Sequence, residues 1–147
     1  RIYGFELPTI AVLQGHAVGG GGILAFACDY RLACAGAGGL QLNETAIGIA
    51  LPSWAIAITQ GAVGERWHGP LMLQARRFSW EEAFEAGMLD QLVEAQADLM
   101  PAAMASATAL GSIDRQAYAE TKKRMRDARI RFELERLEAE LQRQILG

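Results

Sequence analysis

Gly15-His16-Ala17-Val18-Gly19-Gly20-Gly21-Gly22, followed at once by Ile23-Leu24-Ala25-Phe26-Ala27-Cys28, is the stretch on which the fold is read. Upstream, Pro8-Thr9-Ile10-Ala11-Val12-Leu13 is short, apolar and partly β-branched, which predicts a strand buried on both faces, as in a parallel sheet. Gln14–Val18 reads as a turn, and Ile23–Cys28 as a helix buried nearly all round. Glycine in a helix costs about 1 kcal/mol against alanine, so four in a row weaken the first turn. In exchange, the first N–H groups, which have no intrahelical partner, become open to a ligand oxygen. The helix dipole adds about half a positive charge there. Such a turn can hold a phosphate or a developing oxyanion. Close helix–strand packing or plain flexibility explains the run equally well, and it matches neither G-x-G-x-x-G nor a P-loop.

Outward from this core, Leu32–Ala35 and Leu40–Leu42 are two further strands separated by the turn Gly36–Gly39. Strand, glycine turn, helix, strand is a βαβ-type unit, and the fold class is α/β. Leu42-Asn43-Glu44-Thr45 then leads into Ala46-Ile47-Gly48-Ile49-Ala50-Leu51-Pro52. One glutamate in so apolar a stretch is either a desolvated base or a helix-start residue serving backbone N–H groups, and spacing leaves both open. The remainder is helical: Ser53–Val63, Glu65–Leu73, a capping box at Ser79 and Glu82 with a stop at Gly87, and Ala95–Leu110 interrupted by Pro101. A short extended piece, Leu89–Val93, comes between the last two. A tail follows from Asp114 to Leu146, with Phe132, Leu134, Leu137, Leu141 and Ile145 at helical spacing, so that one face should pack. Residues 1–111 are read as the core unit and 112–147 as a helical oligomerisation region.

Bulk properties narrow the classes. The 147 residues are 51% hydrophobic and 21% charged, an ordinary globular composition. A net charge of −3 gives no footprint for nucleic acid. The cations of Lys122–Arg131 are followed by acids, as on a solvated helix face. No apolar run approaches the roughly 20 residues that cross a bilayer, so no membrane partner is expected. Cys28 and Cys34 fit free thiols in a reducing compartment, here expected to be the cytoplasm, and no metal-type spacing occurs. The chain enters from Arg1 directly onto a strand, so an N-terminal portion of the same domain is expected before it.

The segment Gly15–Gly21 with the helix ending Ala27-Cys28-Asp29-Tyr30-Arg31 resembles the signature of the crotonase (enoyl-CoA hydratase/isomerase) superfamily. The resemblance runs from about Leu7 to Val93, and more loosely along the tail. It implies a spiral of ββα turns, of which this is the C-terminal part, and an acyl-CoA thioester as substrate, with no cofactor beyond that CoA. It also implies that the Gly20 N–H is half of an oxyanion hole. The other half belongs to an earlier loop with no match here. Leu42-Asn43-Glu44-Thr45, Ile47-Gly48-Ile49 and Leu51-Pro52-Ser53-Trp54 look like the delta-3,delta-2-enoyl-CoA isomerase branch, where this glutamate shuttles a proton.

Hydratases of the family carry a second glutamate three residues after the oxyanion glycine, and Ile23 stands there. Adding water suits paired carboxylates, whereas a 1,3-proton shift needs one base in a dry pocket. Glu44 and Gly20 are therefore the expected catalytic residues, and Gly19, Ile23, Asn43 and Pro52 the expected substrate contacts. Pro52 and Trp54 fit an acyl pocket and plain core packing equally. His16 is read as steadying the glycine turn, His68 as a surface residue, and Asp29 and Arg31 as ties between helix and next strand. Lys122, Lys123 and Arg126 are candidates for touching CoA phosphates. A homotrimer or hexamer is the implied assembly. Other crotonase reactions, hydration included, and a non-catalytic assembly module are the competing readings.

Overall fold

A computed structural model describes residues 1–146, with side chains for residues 1–139. Strands β1 (Ile10–Leu13) and β2 (His16–Val18) are separated by the bend at Gln14-Gly15 and enter different sheets. After them come helix α1 (Gly20–Ala27), β3 (Tyr30–Cys34), β4 (Gly39–Gln41), helix α2 (Ser53–Ala62) and β5 (Phe78–Ser79). Helix α3 (Trp80–Glu85), β6 (Gln91–Val93), α4 (Gln96–Gly111) and α5 (Arg115–Leu146) complete the order. One sheet is β1-β3-β6, all parallel; the other is β2-β4-β5, with β2 parallel to β4 and β5 antiparallel. The first two passes of the chain thus lay one strand in each sheet before returning through a helix, which is the ββα turn read from the sequence. In the third, α3 comes between β5 and β6.

The β1–β3 register pairs Ile10 with Tyr30 and Leu13 with Ala33, and the β2–β4 register pairs His16 with Gly39. Alternation along β3 then separates two cores. Ala33 faces a main cluster of Phe26, Leu40, Leu42, Leu71, Phe78, Trp80 and Met88 beneath α1 and α2. Leu32 and Cys34 face a smaller cluster closed by Leu99 and Ala103 of α4.

Several expectations need correction. β1 is only half-buried, because it forms the edge of its sheet among the described residues. His16–Val18 is a strand rather than a turn: Ala17 points into the core while His16 and Val18 point out, and pairing with β4 fixes it extended. Leu24 leaves α1 half-exposed, so that helix is not buried all round. The single helix expected over 65–73 is a 3-10 turn (Glu65–Trp67) followed by a π turn (Gly69–Leu73). Pro101 does not interrupt α4. The carbonyl that its missing N–H would have met belongs to Ala97, on the exposed face of the helix. Along α5, Leu134 and Leu137 line a groove of about 260 Å³ with Trp54, Ala57 and Ile58, yet both stay exposed, as does Phe132. Leu141 and Ile145 lie outside the residues whose side chains are described.

Candidate active site

Gly19 is the pivot. Its φ of 55° lies in the left-handed region that glycine adopts at little cost, and it turns the chain from β2 into α1. Its N–H donates to the Gln41 carbonyl (2.8 Å), which fastens the turn to β4, and its carbonyl accepts from Ile23 (3.1 Å) as the first bond of the helix. The N–H groups of Gly20, Gly21 and Gly22 precede that bond and have no intrahelical acceptor. The surface above Gly20 and Gly21 is open: a Cβ on either would meet nothing within 4 Å.

Opposite the bend stands a 3-10 turn, Thr45–Ile47, with Glu44 at its N-cap in α conformation. Gly48 closes it, and the Ile49 N–H returns to the Glu44 carbonyl (2.9 Å). The Thr45 hydroxyl donates to the Met72 carbonyl (2.7 Å), tying the turn to the π turn beneath. This places the Glu44 side chain against the glycine bend. A Cβ built on Gly19 would stand 3.0 Å from Glu44 Oε1 and 3.1 Å from Asn43 Oδ1. Glu44 Oε2 is buried and has no hydrogen-bond partner. A buried acceptor left open is costly, and few survive in native folds without a use. The Glu44 side chain makes no capping bond either, so the helix-start reading of this residue fails.

The structure thus brings Gly19, Gly20, Asn43 and Glu44 together. It places the other expected contacts elsewhere. Ile23 is buried in the main core, packed under α1. Pro52 is exposed at the N-cap of α2, and Trp54 lines the α2–α5 groove rather than the core. Gly22 has a packing duty: a Cβ there would lie 2.9 Å from Leu42 Cδ2 and 3.0 Å from Leu40 Cδ1. Close helix–strand packing, one reading of the glycine run, therefore applies at Gly22.

His16 is exposed, with Nε2 2.6 Å from the Arg77 guanidinium, while the bend beside it is held by Trp80 Nε1 donating to the Gly15 carbonyl (3.1 Å). His68 is half-buried rather than a free surface residue, its Nε2 3.2 Å from the Val63 carbonyl. Arg31 binds the Cys28 and Met88 carbonyls and pairs with Asp90 (2.9 Å), tying β3 down as expected.

Two cations of α5 depart from the solvated face expected of them, while Lys123, Arg124 and Arg131 keep to it. Asp29, at the end of α1, accepts from the Thr9 N–H (2.8 Å), the Thr9 hydroxyl (3.0 Å) and Lys122 Nζ (2.6 Å), and pairs with Arg126 (2.9 Å). Lys122 also donates to the Leu7 carbonyl, and Arg126 to that of Tyr3 while stacking on its ring. Lys122 and Arg126 are therefore occupied by protein groups, leaving Lys123 as the exposed one of the three. The signal for this hub was readable: Asp29 and Glu6 are the only acids in the first 43 residues, and Tyr118, Lys122, Arg126 and Ile130 recur every four along one helix face. Among the described residues, no group of His, Cys, Asp and Glu could hold a metal ion, and no helix is long and apolar enough to cross a membrane.

The family model for enoyl-CoA hydratase/isomerase matches residues 1–145. The chain belongs to that family. Its fold is the crotonase fold: an enoyl-CoA hydratase from Mycobacterium ulcerans superposes with a TM-score of 0.85 at 27% identity, covering 96% of this chain and 62% of that one. A structure described as the Mtb enoyl-CoA isomerase gives the same TM-score, 0.85, over 95% and 62% at 27% identity. Among curated relatives, the peroxisomal enoyl-CoA delta isomerase 1 of Arabidopsis thaliana is 31% identical over 99 residues, 67% of this chain and 41% of that protein. The mitochondrial enoyl-CoA delta isomerase 1 of Homo sapiens is 29% identical over 119 residues, 77% and 35%. The chain thus spans about two fifths or less of the curated relatives it matches. Family members named for other reactions also match, among them carnitinyl-CoA dehydratase from Salmonella paratyphi B (31% identical over 103 residues).

Proposed function

We propose that this chain carries the base and one oxyanion donor of an acyl-CoA double-bond isomerase that converts a 3-enoyl-CoA into the conjugated 2-enoyl-CoA. The observation that carries the reading is the Glu44 carboxylate set against the Gly19 bend with one buried oxygen unpartnered. Glu44 takes a proton from C2, α to the thioester carbonyl. The electron pair moves through C2, the carbonyl and the C3–C4 double bond, giving a dienolate whose negative oxygen the Gly20 N–H receives. Glu44 returns the same proton at C4, leaving the double bond between C2 and C3. No atom is gained or lost, and the CoA thioester is the only small molecule required.

Placing both carbons within reach of one carboxylate supplies orientation, and the α1 dipole lies toward the developing charge. The family's second donor comes from an earlier loop that has no match here. Asn43, beside Gly19, is placed to orient the substrate or the carboxylate. The second carboxylate that hydration would use is an isoleucine buried in the core, which supports isomerisation over water addition. The hydratase reading rests on the hydratase neighbour and the dehydratase relative. A trimer or hexamer, a place in fatty acid metabolism and a cytoplasmic location belong to the same proposal, although the isomerase relatives bear peroxisomal and mitochondrial names.

Assaying the natural full-length protein with a 3-enoyl-CoA and with crotonyl-CoA tests it. Absorbance of the conjugated product should rise with the first, and water addition to the second should be far slower. Robust hydration would overturn the isomerase assignment.

A further inference from the structure

Helix α5 is tied to Asp29 after α1, the helix that begins at the glycine bend, and to α2, which follows the Glu44 turn, without entering the site. Toward its N-terminal half, Lys122 and Arg126 grip Asp29, and Asp29 sits at the end of α1 opposite Gly20. Eleven residues beyond Lys122, Glu133 reaches the start of α2: the Ser53 hydroxyl donates to Glu133 Oε2 (2.5 Å). Between these points Arg129 crosses α2 at Gly61, occupying the space that any β-carbon there would fill, and donates to the Tyr3 hydroxyl (3.3 Å).

The chain between Glu44 and Ser53 gives the last contact its meaning. Thr45–Ala50 is exposed throughout, and its ties are the short turn's own backbone bonds and the Thr45–Met72 bond at the near end. At the far end, α2 begins at Pro52 with no side-chain cap. Leu51 packs against the main core there, and the bond from Ser53 to Glu133 adds a polar side-chain restraint. A hydroxyl bound to a carboxylate is a charge-assisted pair, stronger than a neutral one.

We infer that α5 is a clamp on the candidate base and that Glu133 is a positioning residue, setting the reach of Glu44 by fixing the far end of its loop. The inference rests on the reading of Glu44 as the base only for its kinetic consequence; the mechanical coupling stands on the contacts alone. Ser53 and Glu133 are half-buried, so the pair contributes little to global stability, whereas a displacement of about 1 Å at a reacting group can cost a hundredfold in rate.

The test uses the natural full-length protein with two substitutions, Glu133→Ala, which removes the acceptor, and Glu133→Gln, which keeps an acceptor oxygen. Glu133→Ala should lower kcat for 3-enoyl-CoA isomerisation about tenfold, with KM within about twofold and an unchanged melting temperature. Glu133→Gln should recover most of the loss. Amide exchange at Ile47, Gly48 and Ile49, whose N–H groups close the turn, should quicken in the alanine variant and not in β3. If Glu133→Ala leaves both kcat and this exchange as in the wild type, the clamp is refuted even when Glu44→Gln abolishes turnover. If exchange quickens while Glu44→Gln retains activity, the clamp stands and the isomerase reading falls.

Discussion

Asp29 and Glu44 both carry a carboxylate inward, and their surroundings are opposites. Asp29 receives two bonds from Thr9, one from Lys122 and an ion pair from Arg126, so each oxygen has a donor and a charge. Glu44 has one oxygen beside a glycine that offers no side chain and another that is buried without a partner. A carboxylate so completely satisfied has nothing left to give a substrate. One left open is a cost to folding that only a ligand's proton or donor can relieve. The contrast separates a joint from a reactive group more sharply than exposure does, since neither residue is fully exposed.

The largest expected effect comes from removing the open carboxylate. Glu44→Gln in the full-length protein should lower kcat by about a thousandfold or more while CoA-ester affinity, measured by calorimetry, stays within a few fold. Its melting temperature should not fall, because no satisfied interaction is lost. A destabilised Glu44→Gln protein would show that the residue is a second joint and would erase the contrast. Gly19→Ala attacks the same arrangement from the other side: the methyl would sit at 3.0 Å from Glu44 Oε1 at a φ of 55°. Turnover should drop at least about tenfold, with a stability loss of only about 1–2 kcal/mol in urea titration.

For the closed carboxylate the pattern reverses. Asp29→Asn should leave the chemistry of bound substrate largely unaltered but cost about 3 kcal/mol, because buried Lys122 and half-buried Arg126 would remain without their counter-charge. Acid should do the same reversibly. Burial alone would raise the Asp29 pKa, but hydrogen bonds from Lys122 and Thr9 outweigh it and hold the group below the ordinary carboxylate range. The folded state therefore takes up the proton less readily than the unfolded chain. Its stabilisation is complete above about pH 4 and is lost as pH falls through the lowered folded value. Urea midpoints measured downward from pH 5 should fall more steeply in the wild type than in Asp29→Asn; equal slopes would break the assignment. The alkaline side has a counterpart in Tyr118, whose pKa is pushed up to about 12 by burial and by the Asp29 carboxylate. Its contribution is present below about pH 10 and fades as pH rises toward the folded value, a loss that Tyr118→Phe should remove. Smallest of all, Ser79→Ala should cost about 1 kcal/mol by opening the capping box of α3, at no expense to activity.

What the sequence made legible was local. The Ser79–Glu82 capping box and the Gly87 stop are complete within a few residues, and both are present, with Gly87 at a φ of 72°. The order of strands, glycine turn and helix was equally plain, because its apolar runs and breaks are adjacent. The strand at His16–Val18 was not, since three residues between glycines carry too little alternation and its pairing lies 23 residues away. Lys122 and Arg126 were misread for the same reason: Lys122 finds its acid 93 positions earlier, and charge runs look solvated until a distant partner is placed. At the candidate site the types of residue were readable, and the approach of Glu44 to Gly19 was not, because it depends on the bond from Thr45 to Met72 and on how β4 aligns with β2.

The four successive glycines carry a last consequence. A mutational scan would treat them as four copies of one letter, yet alanine should return different phenotypes. At position 19 it should silence a folded protein. At 21, where the added methyl meets open space, it should raise the melting point by improving helix propensity. At 22 it should wedge α1 away from two fully packed leucines of the main core and depress expression instead. Homopolymer in spelling, the run is heterogeneous in tolerance.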